Sequence, residues 1–243
     1  MTAPALPRPL TPPPVAPPAV KDPNAAPRRG DWQQVHGRDV AALLDPRPTL
    51  VVGARGTHEM RKEVGFATIL WAMPVSHEPA MVAIALREKS HTMHCLKDAG
   101  SFSLNVLPAN ETGTYLAEVC GTRTGWTRKK VGMVPHHQVT VEYDKTQTIE
   151  VEVPRFGIFR RVKTEERVET VHHVEQVPVL DAATSWMTCQ VDHIEEAGDH
   201  LLVVAYVLEA HTCAPRNPET ELLEPEDALL CVQHGTWARS RCL

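Results

Sequence analysis

Apolar, β-favouring runs follow one another in this 243-residue chain at intervals too short for helical crossovers. Parallel neighbours need a connection of about a dozen residues or more, usually a helix. The gaps between "PTLVVGARG" (48–56), "GFATILWA" (65–72) and "AMVAIAL" (80–86) do not provide one. The last two read as the strands of a hairpin around "PVSHEP". "SFSLNVL" (101–107) adds a strand, and "ATSWMTCQVDHIEEAG" (183–198) and "HLLVVAYVLEAHTC" (200–213) add a long pair joined by the turn signal "EAGDH". Residues 139–177 alternate Val and Thr with Glu, as in "TIEVEV" and "RVETVHHVEQV", the pattern of strands with one wet face. Helical stretches are few and short. "GRDVAALL" (37–44) stops before Pro46, "HTMHCLKDAG" (91–100) has Ser90 as N-cap and Gly100 at its end, and "ETGTYLAEVC" (111–120) follows. No internal repeat is evident. Seven or more strands with two or three short helices predict an all-β, antiparallel barrel with a few peripheral helices.

Hydrophobic residues make up 42% of the chain, enough for one good core, so residues 30–243 are expected to form a single domain with an extra β insert at about 139–177. Residues 1–29 hold ten of the 21 prolines and are expected to be extended or disordered, as a solvated tail or as a docking arm. This segment lacks the apolar region of a signal peptide, and "LLVVAYVL" (201–208) is too short to span a bilayer, which predicts a soluble, cytoplasmic protein without a membrane partner. A net charge of −5 supplies no global field for nucleic acid, so an anionic ligand needs a local cluster of donors. The six cysteines (95, 120, 189, 213, 231 and 242) form neither C-x-x-C nor a zinc spacing and read mostly as small buried apolar residues. The histidine pairs at 91/94, 136/137 and 172/173 have no third ligand at short range, and no metal site is expected.

The region 66–94 contains no nucleophile elbow and no phosphate loop. What it does contain is an anion-binding pattern. Ser90, His91 and Thr92 stand where a helix begins, so free amides, the helix dipole and two hydroxyls converge there, with Arg87 and Lys89 just upstream. Trp71 reads equally as a core or interface aromatic and as a ring contact. Asn105 is disfavoured in a strand, so it serves either buried backbone or a ligand. Arg123, Arg128, Lys129 and Lys130 are either a solvated basic loop or a phosphate clamp.

Taken in order, "PRPTLVVGARG", "FATILWAMPVSHEPAMVAIAL", "SHTMHCLKDAGSFSLNVLP" and "AATSWMTCQVDHIEEAGDHLLVVAYVLEAHT" resemble the flavin reductase-like, FMN-binding split-barrel family, which includes flavoredoxin-type members. The resemblance covers roughly residues 46–213, with 138–177 poorly matched. It implies a Greek-key split barrel that binds FMN, takes hydride from NADH or NADPH without a side-chain base, and passes electrons to an acceptor such as oxygen, free flavin or a protein. It also implies a homodimer. By the same resemblance Thr68, Ile69, Leu70, Trp71, Val75 and Ser76 line the ring and ribityl chain, and Ser90, His91 and Thr92 hold the phosphate, near the positive charge that Arg87 adds upstream. Asn105 lies near the cofactor. The family's Asp-Lys-Phe element is missing: Thr127 stands at the lysine position, and Lys129 or Lys130 is the available substitute. An electron carrier and a flavin-free scaffold barrel remain the alternatives. The insert is a hairpin or dimer arm, or else a flap in which "PRFGIFRR" offers Phe156 or Phe159 for stacking and Arg155, Arg160 or Arg161 for a nucleotide phosphate.

Overall fold

The computed structural model describes residues 34–36, 38–58, 60–126, 130–154, 162–219, 228–233 and 236–239. The proline-rich tail, and Arg155, Phe156, Phe159, Arg160 and Arg161 of the insert, lie outside the described residues, as do Thr127 and Lys129. The chain divides into two units, Met1–Val40 and Ala41–Leu243. A short helix, α1 (Arg38–Ala42), runs through the division. The second unit carries β1 (Arg47–Pro48), β2 (Leu50–His58), β3 (Arg61–Ile69), β4 (Ala72–His77), β5 (Ala80–Arg87), α2 (His91–Ala99), β6 (Ser101–Val106) and α3 (Glu111–Thr122). After a 3-10 turn at Val131–Met133 come β7 (His136–Pro154), β8 (Val162–Leu180), β9 (Ser185–Ala197), β10 (His200–Thr212), β11 (Leu229–Gln233) and β12 (Thr236–Arg239).

The main sheet has seven strands in the order β3-β2-β6-β9-β10-β5-β4, every pair antiparallel. Its two edge strands, β3 and β4, are consecutive in the chain and separated only by Leu70 and Trp71. The sheet must therefore curl until its edges nearly meet. The Ala85 amide donates to the Trp71 carbonyl at 3.0 Å and ties that corner to β5. The result is an all-β antiparallel barrel, open along the line between β3 and β4. Two further sheets complete the fold: β1-β11-β12, and the hairpin β7-β8. Among the described residues no helix is long and apolar enough to cross a membrane.

One expectation is corrected here. "GFATILWA" and "AMVAIAL" are not hairpin partners: β3 pairs with β2, and the partner of β5 is β4 (Ala72–His77), which takes in the first four residues of "PVSHEP". The pattern was hidden because β4 is an edge strand. Pro74 is tolerated there, and the large apolar residues Met73 and Val75 point outward. The insert is a hairpin of two 19-residue strands, in register from His136↔Leu180 to Pro154↔Val162. Val141, Tyr143 and Val177 bury its base against the barrel, while Val168 and Val174 are exposed farther along.

Strand alternation explains why β2 reads as unbroken apolar sequence. Val52 and Ala54 face the barrel interior with Ile69, Ile84, Met93, Leu96, Phe102 and Val203, whereas Val51 faces a second cluster with Phe66, Leu107, Leu116 and Val119 beneath α3. Cys95, Cys120, Cys189 and Cys231 are buried free thiols, as composition suggested, and Cys213 is exposed. Burial pushes the Cys120 and Cys189 thiols up to about 12.

Asn105, fully buried on β6, holds three layers together. Its Nδ2 donates to Val51 O at 2.9 Å and to Ser103 Oγ at 2.8 Å, and its Oδ1 accepts from the Leu180 amide at 3.0 Å. Ser103 Oγ in turn donates to Pro178 O. Replacing Asn105 with Ala leaves the Leu180 amide and Val51 carbonyl short of a partner in a dry site. The expected loss is about 2–4 kcal/mol by urea denaturation, together with faster amide exchange at Leu180.

Candidate functional site

β3 has one hydrogen-bonded neighbour among the described residues, β2, so the main-chain groups on its other side are available to whatever lies along the barrel opening. Two helices flank this edge, α2 packing on β2 and β3 and α3 packing on the opposite face of β3.

α2 starts where the sequence placed it. Ser90 is in extended backbone, and its Oγ accepts from the Met93 amide at 3.1 Å. At the other end Gly100 takes the left-handed conformation (φ 70°) and its amide donates to Leu96 O. The helix buries His91, Thr92, Met93, Cys95, Leu96 and Ala99. Close approach to β3 depends on Gly65, because a Cβ there would lie 2.8 Å from Thr92 Cα and 3.1 Å from His91 Nδ1. The amides of His91 and Thr92 stand in the first turn, where helix geometry supplies no i−4 carbonyl.

His91 is almost fully buried, with Nε2 3.0 Å from Glu63 Oε2. The Trp126 ring meets it edge-on, centroids 4.9 Å apart, and a Cβ on Gly125 would lie 2.8 Å from its Nδ1. Cys95 Sγ is 3.8 Å from His91 Nε2, its thiol raised by burial. The loop after α3 thus folds over the start of α2. α3 is joined to β3 by Thr68 Oγ1, which donates to Ala117 O at 2.7 Å.

The predicted site residues divide into groups. His91 and Thr92 pack on β3 at Gly65, with Ser90 capping their helix, whereas Thr68 is bonded to α3 on the other face of the strand. Trp71, 42% exposed, tilts against the His200 ring at 4.7 Å, and Arg87 is exposed opposite His200 in register. His200 Nδ1 is 2.7 Å from Asp199 Oδ1. Leu70 is half-buried, and the Ile69 side chain points into the barrel core, so Ile69 offers a ligand only its main chain. Val75 is exposed and Ser76 half-buried on β4, away from the α2 terminus. The side chains of Asn105 and Lys130 are engaged by the protein itself. Lys130 is 4% exposed, and its Nζ donates to Cys120 O at 2.7 Å and to Arg123 O at 2.9 Å, closing the C-terminal end of α3. Burial holds its pKa below the ordinary lysine value.

Sequence reasoning passed over the other wall. A cleft of about 480 Å³ beside His91 is lined by Arg61, Lys62, Glu63, Val64, Gly125, Val131 and Gly132. The signal was the charge run "RKE" directly before an apolar strand. It reads as a solvated hairpin tip until the fold brings Gly125, Val131 and Gly132 beside it.

Gly65 and Gly132 make a matched test of this packing. Gly65→Ala forces Thr92 and His91 away from β3 and is expected to cost about 1–3 kcal/mol by chemical denaturation. Gly132→Ala, with nothing within 4 Å of the added carbon, is expected to change stability by about 0.5 kcal/mol or less.

Comparison with known proteins bears on this geometry. The family model described as "Flavin reductase like domain" matches residues 45–231. No curated protein matches the chain. Among solved structures, an FMN-binding protein from Thermus thermophilus with bound 1-cyclohex-2-enone is 20% identical, with a TM-score of 0.59, covering 86% of this chain and 94% of that one. Flavoredoxin from Methanosarcina acetivorans is 15% identical at a TM-score of 0.57, covering 86% and 91%. The NADH:FAD oxidoreductase SgcE6 of Streptomyces globisporus C-1027 is 17% identical at 0.54, covering 86% and 97%. Likeness at these identities concerns the fold, and that fold is the split barrel described above.

Proposed function

The chain belongs to the flavin reductase-like domain family, and from that membership we propose that it binds FMN and works as a flavin-dependent oxidoreductase reduced by NADH or NADPH. The observation that carries the reading is the open main-chain edge of β3 running beside the capped N-terminus of α2. A flavin needs a main-chain edge for its polar ring atoms and donors for its phosphate. The residues present fit both needs. Main-chain groups of Thr68, Ile69, Leu70 and Trp71 offer the edge, and Trp71 adds an exposed aromatic face at the corner. The first-turn amides of His91 and Thr92, with the hydroxyls of Ser90 and Thr92, offer the phosphate site. Accepting from Met93 leaves the Ser90 hydroxyl proton free to donate outward. Arg87 adds positive charge at the turn into α2, and Val75 and Ser76 extend the wall along β4.

When bound, FMN supplies the ring that accepts and passes on electrons. The chain's own part is binding and orientation, which requires no side-chain acid or base. Asn105 and Lys130 contribute from behind: Asn105 holds β2, β6 and β8 in register, and Lys130 fixes the loop that covers His91. We further propose a homodimer. The exposed apolar side chains Met73 and Val75 on edge strand β4, with Trp71 just before it, support it, since large apolar side chains exposed at a sheet edge are an association surface. That the similar Streptomyces protein is an NADH:FAD oxidoreductase supports a pyridine nucleotide as reductant.

The test is anaerobic titration of the FMN-loaded protein with NADH and with NADPH. Bleaching of the flavin colour by either nucleotide supports a reductase. A yellow protein that neither nucleotide bleaches would instead be an electron carrier, and failure to take up FMN at all would end the flavin reading. The double variant Ser90→Ala/Thr92→Ala is expected to weaken FMN retention by about 1–3 kcal/mol at equal fold stability. Unchanged affinity would remove these residues from the phosphate site.

A further inference from the structure

α2 lies directly on the backbone of the sheet. Glycine stands beneath it on two strands: a Cβ on Gly56 would come 2.5 Å from Cys95 Cα, and one on Gly65 2.8 Å from Thr92 Cα. No side chain keys the helix to the sheet at these points, so its alignment falls to polar contacts at its ends. A contact of this kind occurs at each end. At the C-terminal end the Thr57 amide donates to Asp98 Oδ2 at 2.6 Å. At the N-terminal end Glu63 Oε2 lies 3.0 Å from His91 Nε2. An ionised carboxylate can only accept, so this nitrogen carries the proton. Glu63 is also met through its main chain, whose carbonyl accepts from the Cys95 thiol at 3.7 Å. Successive turns of α2 thus hold one residue of β3.

His91 is what gives the N-terminal contact its reach. It is the first residue of α2, and its amide is one of the two that the first turn offers to a phosphate. Its side chain is only 2% exposed, so an Nε2 proton without an acceptor would be left buried and unpaired. Without Glu63 the ring has to swing toward water, away from the Trp126 ring that meets it edge-on at 4.9 Å, and the backbone that carries the ring moves with it. We propose that Glu63 is a positioning residue for the phosphate site: through His91 Nε2 it fixes the first-turn amides of α2, and so sets how strongly the protein prefers a phosphorylated flavin to an unphosphorylated one. Glu63 acts through His91 and not on the ligand. The inference rests on the flavin reading, because the phosphate in question is that of FMN.

The test titrates flavin-free protein with FMN and with riboflavin, the same ring without the phosphate, and follows both by fluorescence quenching. The ratio of the two affinities is the readout. Wild type is expected to bind FMN more tightly. In Glu63→Ala the ratio falls about tenfold through loss of FMN affinity, with riboflavin affinity unchanged. Glu63→Gln keeps an oxygen for Nε2 and holds the ratio within about twofold of wild type. A merely structural role would lower both affinities together, or stability alone, and leave the ratio where it was. Asp98→Ala is the control: it loosens the other end of α2 and is expected to lower the urea midpoint without changing the ratio. If Glu63→Ala does not fold, Glu63→Asp carries the same prediction, since a chain shorter by one methylene draws the carboxylate away from His91. The proposal is overturned by an unchanged ratio in the Ala or Asp variant, by an equal loss in the Gln variant, or by an equal loss in Asp98→Ala. Those results leave the flavin reading standing. A wild type that binds both flavins equally removes the phosphate site and this proposal but keeps the flavin, and one that takes up neither sinks the flavin reading itself, and this proposal with it.

Discussion

The barrel is shaped by the need to join its two edges through Leu70 and Trp71. Two residues reach only about 7 Å when extended. A flat seven-stranded sheet would hold its edges several times farther apart at about 4.8 Å per strand. The strands therefore curl, and the interior fills with Val52, Ile84, Met93, Phe102 and Val203. The same closure leaves a seam, because β3 and β4 are the two ends of one ladder and not partners in it. An open main-chain edge next to a helix start follows directly from that topology.

Two buried polar side chains serve the protein itself. Asn105 links β6 to β2 and receives the Leu180 amide from the long hairpin, so the hairpin base and the barrel wall share one buried side chain. Lys130 does the corresponding work on the other side, drawing the loop after α3 back onto the helix end at Cys120 and Arg123. Each sits where burial would be costly without hydrogen bonds. Lys130 is in the loop whose Gly125 and Trp126 lie against His91. A polar residue at an unexpected place in a strand or loop was a true signal in both cases, but its partners are carbonyls and amides, which leave no mark in the sequence.

Legibility differed from element to element for physical reasons. α2 was readable at both ends because its caps are side-chain events: a Ser that accepts from an amide and a Gly that takes a left-handed conformation. β9 and β10 were readable as long strands joined by the turn signal "EAGDH", and the insert from alternation. β4 was not, because an edge strand tolerates Pro74 and leaves Met73 and Val75 outside. Arg61 and Lys62 looked like an ordinary solvated turn until the fold brought Gly125, Val131 and Gly132 to the same cleft.

By itself, then, the amino-acid order determined the class of fold, the helix starts and the family, because propensity, capping and alternation act over a few residues at a time. Which strand lies at each edge of the seam was decided only by tertiary closure. So were the binding of Asn105 and Lys130 to the protein's own backbone and the meeting of Arg61, Lys62 and His91 around one cleft. Those outcomes depend on groups far apart in the chain, and no local pattern encodes them.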